Sequence, residues 1–237
     1  TRDGDAWVLD GKKGLVLNGG TADLLIVPAR TGGDATDRDG ITLFAVDANT
    51  TGVARNVYAT VDGLQAAEIE LDNVRVDDGR VLGEPGEGYP ALDATIDDAT
   101  LAISAEAVGI MQVLTDKTVE YSKNRKQFGV PIGTFQALQH RMVDMLMACE
   151  EAQSLLVWSV MTRAADGDDS KRAVSSIKYL VGTKGRLVGE EAVQIHGGMG
   201  VTWELDVAHY FKRLTIIGQL FGNADWHLDQ LASAPGA

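Results

Sequence analysis

A chain of 237 residues, 45% of them apolar, can bury a substantial core in one or two domains. Its formal charge of −13 argues against nucleic acid or an anionic membrane surface as partner, and solubility is its simplest use. A single cysteine, Cys149, in an apolar helical stretch excludes an intrachain disulfide framework and fits a reducing cytoplasm; no uninterrupted apolar run predicts a transmembrane span, and no signal peptide is evident.

The first ninety residues read as β-structure. Trp7-Val-Leu9 and Gly14-Leu-Val-Leu17 flank Asp10-Gly11, a dipeptide that signals a type I′ hairpin. Leu24–Val27 is a short buried-type strand ending near Pro28, and 31–40 is a polar loop. Further strands are expected over 41–46, 53–60 and 67–74, the last with Glu68, Glu70 and Asp72 on a solvated face and Ile69 and Leu71 on the other. Gly83-Glu-Pro-Gly-Glu-Gly88 is a natural boundary and lacks the spacing of a dinucleotide fingerprint. The expected domains are 1–90, β, and 91–237, helical.

From about Leu92 the apolar period becomes helical. A long first helix carries Ile96, Ile103, Val108, Met111, Leu114 and Val119. A second runs from about Phe135 to Arg163. A third, with Asp169 or Ser170 as its cap, ends at Gly197-Gly198, and a fourth is expected from about Asp206 to Leu231. The sequence begins at Thr1, within β-structure, and reads as the C-terminal part of something longer.

Two stretches stand out. Tyr121-Ser-Lys-Asn-Arg125-Lys-Gln-Phe128-Gly lies in the turn between the first two helices, where Arg125 could grip a pyrophosphate in a bidentate fork or belong to an ordinary basic patch. Gln194-Ile-His-Gly-Gly-Met-Gly200 closes the third helix, either as a plain C-terminal cap or as backbone that a ligand approaches closely. The Gly-x-Ser-x-Gly turn that would make this His-Gly-Gly part of a lipase-like oxyanion loop is missing. His140, His196, His209 and His227 lack metal-ligand spacing, so no metal is expected. Asp97-Asp98 are solvated acids near a helix start or, in one alternative, a general base.

Taken together these stretches resemble the acyl-CoA dehydrogenase family over essentially the whole chain. Trp7-Val-Leu-Asp-Gly-Lys-Lys13 with Asn18-Gly19, the run from Val74 through Leu82-Gly83 to Gly88-Tyr89, Arg125-Lys-Gln-Phe128-Gly with Phe135-Gln136, and Gln194–Gly200 look like family motifs in family order. The resemblance implies an α+β fold, a partial antiparallel β-barrel followed by a C-terminal four-helix bundle. It further implies FAD as cofactor, an acyl-CoA substrate, and an electron-transfer flavoprotein as acceptor. The implied chemistry is α,β-dehydrogenation in fatty acid or sterol side-chain degradation, with a carboxylate removing the α-proton. Arg125, Gln127, Phe128, Phe135 and Gln136, with Gln194, Ile195, His196, Gly197 and Gly198, would face the ADP half of an FAD whose flavin ring sits in a neighbouring subunit.

Departures from the family pattern fall elsewhere. Leu15 and Leu17 stand where the family commonly has a flavin-contacting tryptophan and threonine, and leucine cannot donate a hydrogen bond. One family base position falls on Gly222 or Phe221, the other on Ala99; Asp98 is one residue off, about 100° around a helix. Ala224 and Thr100 replace a cofactor-touching threonine and a common arginine. The combination suits a subunit of a hetero-oligomer that completes a paralogue's cofactor site. Alternatives are an active homo-oligomer with a relocated base, Asp98 or Asp97, and a flavin-free scaffold. Gly222 also leaves open whether free volume beside the base position is filled by Phe221 or Trp226 or admits a bulky acyl chain.

Overall fold

Alternating apolar and polar residues build two antiparallel sheets in the first part of the chain. The strands are β1 (Arg2–Asp3), β2 (Ala6–Leu17), β3 (Leu24–Arg30), β4 (Ile41–Asp47), β5 (Val53–Ala59), β6 (Gln65–Asp77) and β7 (Val81–Leu82). One sheet has the order β1-β2-β6-β5, the other β3-β4-β7. Apolar residues from both meet in one cluster: Trp7, Leu9, Ile69, Leu71 and Val74 from the larger sheet, Leu25, Val27, Phe44 and Val46 from the smaller. Trp7 packs edge-on against Phe44, centroids 5.6 Å apart, and its indole N–H donates to Asp78 at 2.8 Å. Glu68, Glu70 and Asp72 are exposed while Ile69 and Leu71 are buried, as their alternation requires.

Two local expectations fail here. Asp10-Gly11 is not a hairpin turn. β2 continues through it because the residues on both sides pair with the same strand, Leu9 with Val74 and Gly11 with Leu71. Asp10 lies opposite a bulge in β6, where Asp72 and Asn73 (φ 50°) face it, and it accepts a hydrogen bond from the Asn73 amide at 2.8 Å. Pro28 does not end its strand either, since β3 runs on to Arg30 with Pro28 opposite Leu43. β3 is an edge strand, where proline's missing N–H costs nothing.

The remaining elements are α1 (Tyr89–Asn124), β8 (Lys126–Gln127), β9 (Val130–Pro131), α2 (Gln136–Ala164), α3 (Ser170–His196), α4 (Asp206–Ile217) and α5 (Ala224–Ala232). The computed structural model describes residues 1–165 and 167–233, and the chain divides into two compact units after Thr95, within α1. The helical core gathers Val108, Met111 and Leu114 of α1, Met145 and Ala152 of α2, Ile177, Val181 and Val188 of α3, and Val207 and Leu214 of α4. Cys149 is buried there, its sulfur 3.3 Å from the Thr115 hydroxyl, and burial raises its thiol pKa, as befits a packing residue. The antiparallel β unit followed by a helical domain is the α+β architecture expected.

The fourth helix is not continuous over 206–231. It breaks into α4 and α5, with Phe221 (φ 54°) and Gly222 (φ 99°) in left-handed conformations and Asn223 capping α5 through its side-chain oxygen, 2.9 Å from the Trp226 amide.

Candidate functional site

The Arg125 segment folds as a tight hairpin at the end of α1. Lys126 pairs with Pro131 and Gln127 with Val130, and the Ile132 amide donates to the Arg125 carbonyl at 2.8 Å. The tip is Phe128-Gly129, with φ of 54° and 85°. Two successive positive φ angles are the signature of a type I′ turn, whose first position belongs to asparagine, aspartate or glycine. A phenylalanine held there costs about 1–2 kcal/mol. That strained side chain is 94% exposed, and the ring of the partly exposed Phe135 stands perpendicular to it, 6.2 Å away. The Arg125 guanidinium is exposed, and among the described residues it has no hydrogen-bond or ion-pair partner. Gln127 bonds the Lys126 carbonyl at 2.8 Å, and Gln136 is exposed at the first turn of α2.

The second motif ends α3 beside the first. Tyr121, one turn before Arg125, stacks on His196 at 4.3 Å, and its hydroxyl reaches the His196 carbonyl at 3.4 Å. His196 Nδ1 donates to the Ala192 carbonyl at 2.7 Å, and burial pushes the imidazole pKa below its ordinary value. Ile195 lies in the bundle core. These two side chains therefore face inward and brace the turn, whereas Gln194, Gly197 and Gly198 are exposed. Gly197 (φ 62°) reverses the chain, and Gly200 lets it fold back: a Cβ there would lie 2.6 Å from the Val193 carbonyl oxygen. The Tyr121–His196 contact thus joins the two motifs into one surface carrying a cation without a partner among the described residues, an exposed ring and an exposed glycine turn. These groups are suited to pyrophosphate, to a flat heterocycle and to close backbone approach, so the residues present fit the ADP portion of a dinucleotide.

The α4–α5 break has the opposite character. Lys178, on the core-facing side of α3 and fully buried, donates to the carbonyls of Gly222 at 2.7 Å and Gly218 at 3.4 Å. Burial lowers its pKa to about 8. His227, also buried, bridges Ser175 Oγ (3.2 Å) and the Phe221 carbonyl (3.1 Å). The carbonyl can only accept, so Nε2 carries the proton and Nδ1 accepts from the serine. Burial, reinforced by the nearby Lys178 charge, holds His227 down to about 4. A Cβ on Gly222 would lie 2.7 Å from the Trp226 ring and 3.0 Å from His227 Nε2. The space beside Gly222 is therefore taken by Trp226, which answers the question of free volume there. Lys178, Ser175 and His227 had not been singled out as a site. One signal was available: Lys178 lies four residues after Val174 and three before Val181, a lysine in an apolar helical phase.

The remaining candidates are tied to neighbours. Asp97 pairs with Lys171 at 3.3 Å and Asp98 with Arg163 at 2.9 Å. Ala99 is half-buried, and the buried Thr100 donates to the Ile96 carbonyl at 2.7 Å. Leu15 (φ 49°) and Leu17 are exposed on β2. His209 meets the Trp203 carbonyl at 3.1 Å, and among the described residues no cluster could hold a metal ion.

Residues 1–74 match the model of the acyl-CoA dehydrogenase middle domain and residues 86–234 that of the C-terminal domain. The chain is 35% identical over 214 residues to the probable acyl-CoA dehydrogenase FadE25 of Mycobacterium tuberculosis, covering 89% of this chain and 54% of that protein. Butyryl-CoA dehydrogenase from Megasphaera elsdenii superposes with a TM-score of 0.91 at 29% identity, covering 98% of this chain and 61% of that one. A glutaryl-coenzyme A dehydrogenase in complex with glutaryl-CoA superposes with 0.90 at 28%, covering 97% and 58%. This chain belongs to the acyl-CoA dehydrogenase family. It spans about half the length of the curated relatives it matches.

Proposed function

We propose that this chain is a subunit of an acyl-CoA dehydrogenase whose Arg125 hairpin and Gln194–Gly198 turn hold the ADP half of an FAD seated in a paralogous subunit, and that it supplies no base of its own. FAD is the cofactor typical of the family, and the exposed surface joined by Tyr121 and His196 offers the groups an ADP moiety requires. The single observation that carries the non-catalytic role is the construction of the α4–α5 break. Its side chains are a buried lysine, a buried neutral histidine and an indole over Gly222, with no carboxylate at Phe221 or Gly222. Whether the base position corresponds to Gly222 or Phe221, neither residue can take a proton, and a Cβ at Gly222 would meet the Trp226 ring at 2.7 Å. Asp97 and Asp98 are poor substitutes because each is already bound to a cation.

In this role the chain's residues bind and orient. Arg125 neutralises pyrophosphate charge, Phe128 offers a stacking face, and the Gly197–Gly198 backbone lies close to the ligand. The bound flavin would supply hydride acceptance in the partner's site, with an electron-transfer flavoprotein as acceptor of the complex. The test is to purify the full-length protein alone and together with its paralogue, measuring flavin absorbance and acyl-CoA turnover. Flavin and turnover are expected only in the complex. A stoichiometric flavin with good turnover in the lone protein would overturn the proposal.

A further inference from the structure

The two ligand-facing turns are carried by different helices, and a grip needs both at once. The hairpin is mounted on the last turn of α1. The Arg125 amide donates to the Tyr121 carbonyl at 2.8 Å, and the Ile132 amide to the Arg125 carbonyl at 2.8 Å. The returning chain sits close on the helix: a Cβ on Gly133 would lie 2.8 Å from Ser122 Oγ and 3.1 Å from the Ser122 carbonyl oxygen. α1 therefore sets where Arg125 stands. The glycine turn is mounted on the end of α3, where the Gly197 amide donates to the Gln194 carbonyl.

One side chain is placed to keep these mounts in register. The half-buried Tyr121 lays its ring on the imidazole of His196, centroids 4.3 Å apart and planes 30° apart. Its hydroxyl donates to the His196 carbonyl, which belongs to the peptide entering Gly197, at 3.4 Å. Tyr121 thus holds both the side chain and the backbone of the residue before the glycine turn, and its own carbonyl holds Arg125. His196 cannot yield to it, being 5% exposed and anchored by Nδ1 to the Ala192 carbonyl. One turn earlier on α1, Lys117 pairs with Asp206, the first residue of α4, at 2.9 Å. That ion pair is half-exposed and worth little, so the ring stack is the contact of consequence. Tyr121 spends a ring face and its hydroxyl proton inside the molecule, and so acts on a ligand through its neighbours.

We infer that Tyr121 is a positioning residue of the dinucleotide surface: stacked on His196, it fixes the spacing between Arg125 and the Gly197–Gly198 backbone so that both engage one ADP moiety. This deepens the proposed function and rests on it. Without the stack each turn keeps its local hydrogen bonds, but the spacing between them softens. The second contact must then be ordered during binding, at a cost in affinity.

Coupling between Tyr121 and Arg125 is the expected signature. In full-length protein assembled with its paralogue, equilibrium dialysis of FAD compares the wild type with Tyr121→Leu, Arg125→Ala and the two combined. Tyr121→Leu is expected to weaken retention about five- to tenfold. In the Arg125→Ala background the same change should cost less than about threefold, because one arm of the grip is already gone. Tyr121→Phe keeps the stack and should retain FAD within about twofold of wild type. His196→Leu removes the stack from the other side, should reproduce the loss, and should add nothing to Tyr121→Leu. Full retention in Tyr121→Leu and His196→Leu, losses that multiply in the Tyr121→Leu, Arg125→Ala variant as general loosening would give, or a Tyr121→Phe as weak as Tyr121→Leu would each overturn the inference while leaving the role of Arg125 intact. Unchanged retention in Arg125→Ala would overturn the reading of the surface itself, and the inference with it.

Discussion

The hairpin tip at Phe128 and the break at Phe221 use the same backbone device to opposite ends. Both place a phenylalanine at φ 54° followed by a glycine at positive φ. At the hairpin the strain displays a ring: Phe128 is almost fully exposed, beside an arginine with no partner among the described residues. At the break the strain closes a helix end. The carbonyls of Gly218, Phe221 and Gly222 are bonded by Lys178 and His227, and Trp226 covers the glycine. Uncompensated strain and unpartnered charge persist where something outside the chain is to be bound, whereas strain sealed by buried donors belongs to the structure itself. The contrast separates an exposed surface with groups left available from a helix break held by buried donors.

The largest expected effect tests the sealed region. Lys178→Ala leaves two carbonyls without a buried donor and opens a cavity, and is expected to cost about 3–5 kcal/mol in urea denaturation. A loss below about 1 kcal/mol would mean that the break holds itself. Next comes acid. His227 titrates near 4 in the folded protein and at 6.5 when unfolded, so between those values the unfolded chain binds the proton first. Stability is therefore lost as pH falls from 6.5 to 4, by about 3 kcal/mol from this group. Urea midpoints across that window check this, and His227→Gln should flatten the dependence.

The displayed region should behave in the reverse manner. Arg125→Ala is expected to leave the melting temperature nearly unchanged while FAD retention in the complex falls about tenfold or more, the worth of a charge-assisted contact. Equilibrium dialysis of the flavin reads the difference, and unchanged retention would favour a flavin-free scaffold. Phe128→Asn relieves the left-handed strain, so it should raise stability by about 1 kcal/mol and weaken FAD retention together. A stability gain without loss of flavin would make the exposed ring incidental. The smallest effect concerns Asp98→Asn, which breaks an exposed ion pair worth less than about 1 kcal/mol. Turnover of the complex should stay within a factor of two, and a severe loss would restore the relocated-base alternative.

Much of this molecule was legible in local pattern. Period two over Glu68–Asp72, period 3.6 across 92–163, and glycines at the end of the third helix each report a constraint acting within one turn or one strand. The two motifs could likewise be located and given their residue types. Where they lie together was another matter, because it depends on Tyr121 reaching His196 across 75 positions of chain. The other misjudged places share that cause. Asp10-Gly11 has a hairpin's residues, yet both its flanks are claimed by β6. The 206–231 stretch has a helix's period, yet a lysine on the preceding helix, 40 and 44 residues earlier, takes the carbonyls of Gly218 and Gly222 at its break. Sequence by itself determined where β-structure gives way to helices, which residue types cluster in motifs, and which positions lack a carboxylate, because these are properties of neighbouring residues. Only the tertiary structure decided which of those residues are spent inside the molecule and which remain available, because a side chain's partners are set by packing across the chain.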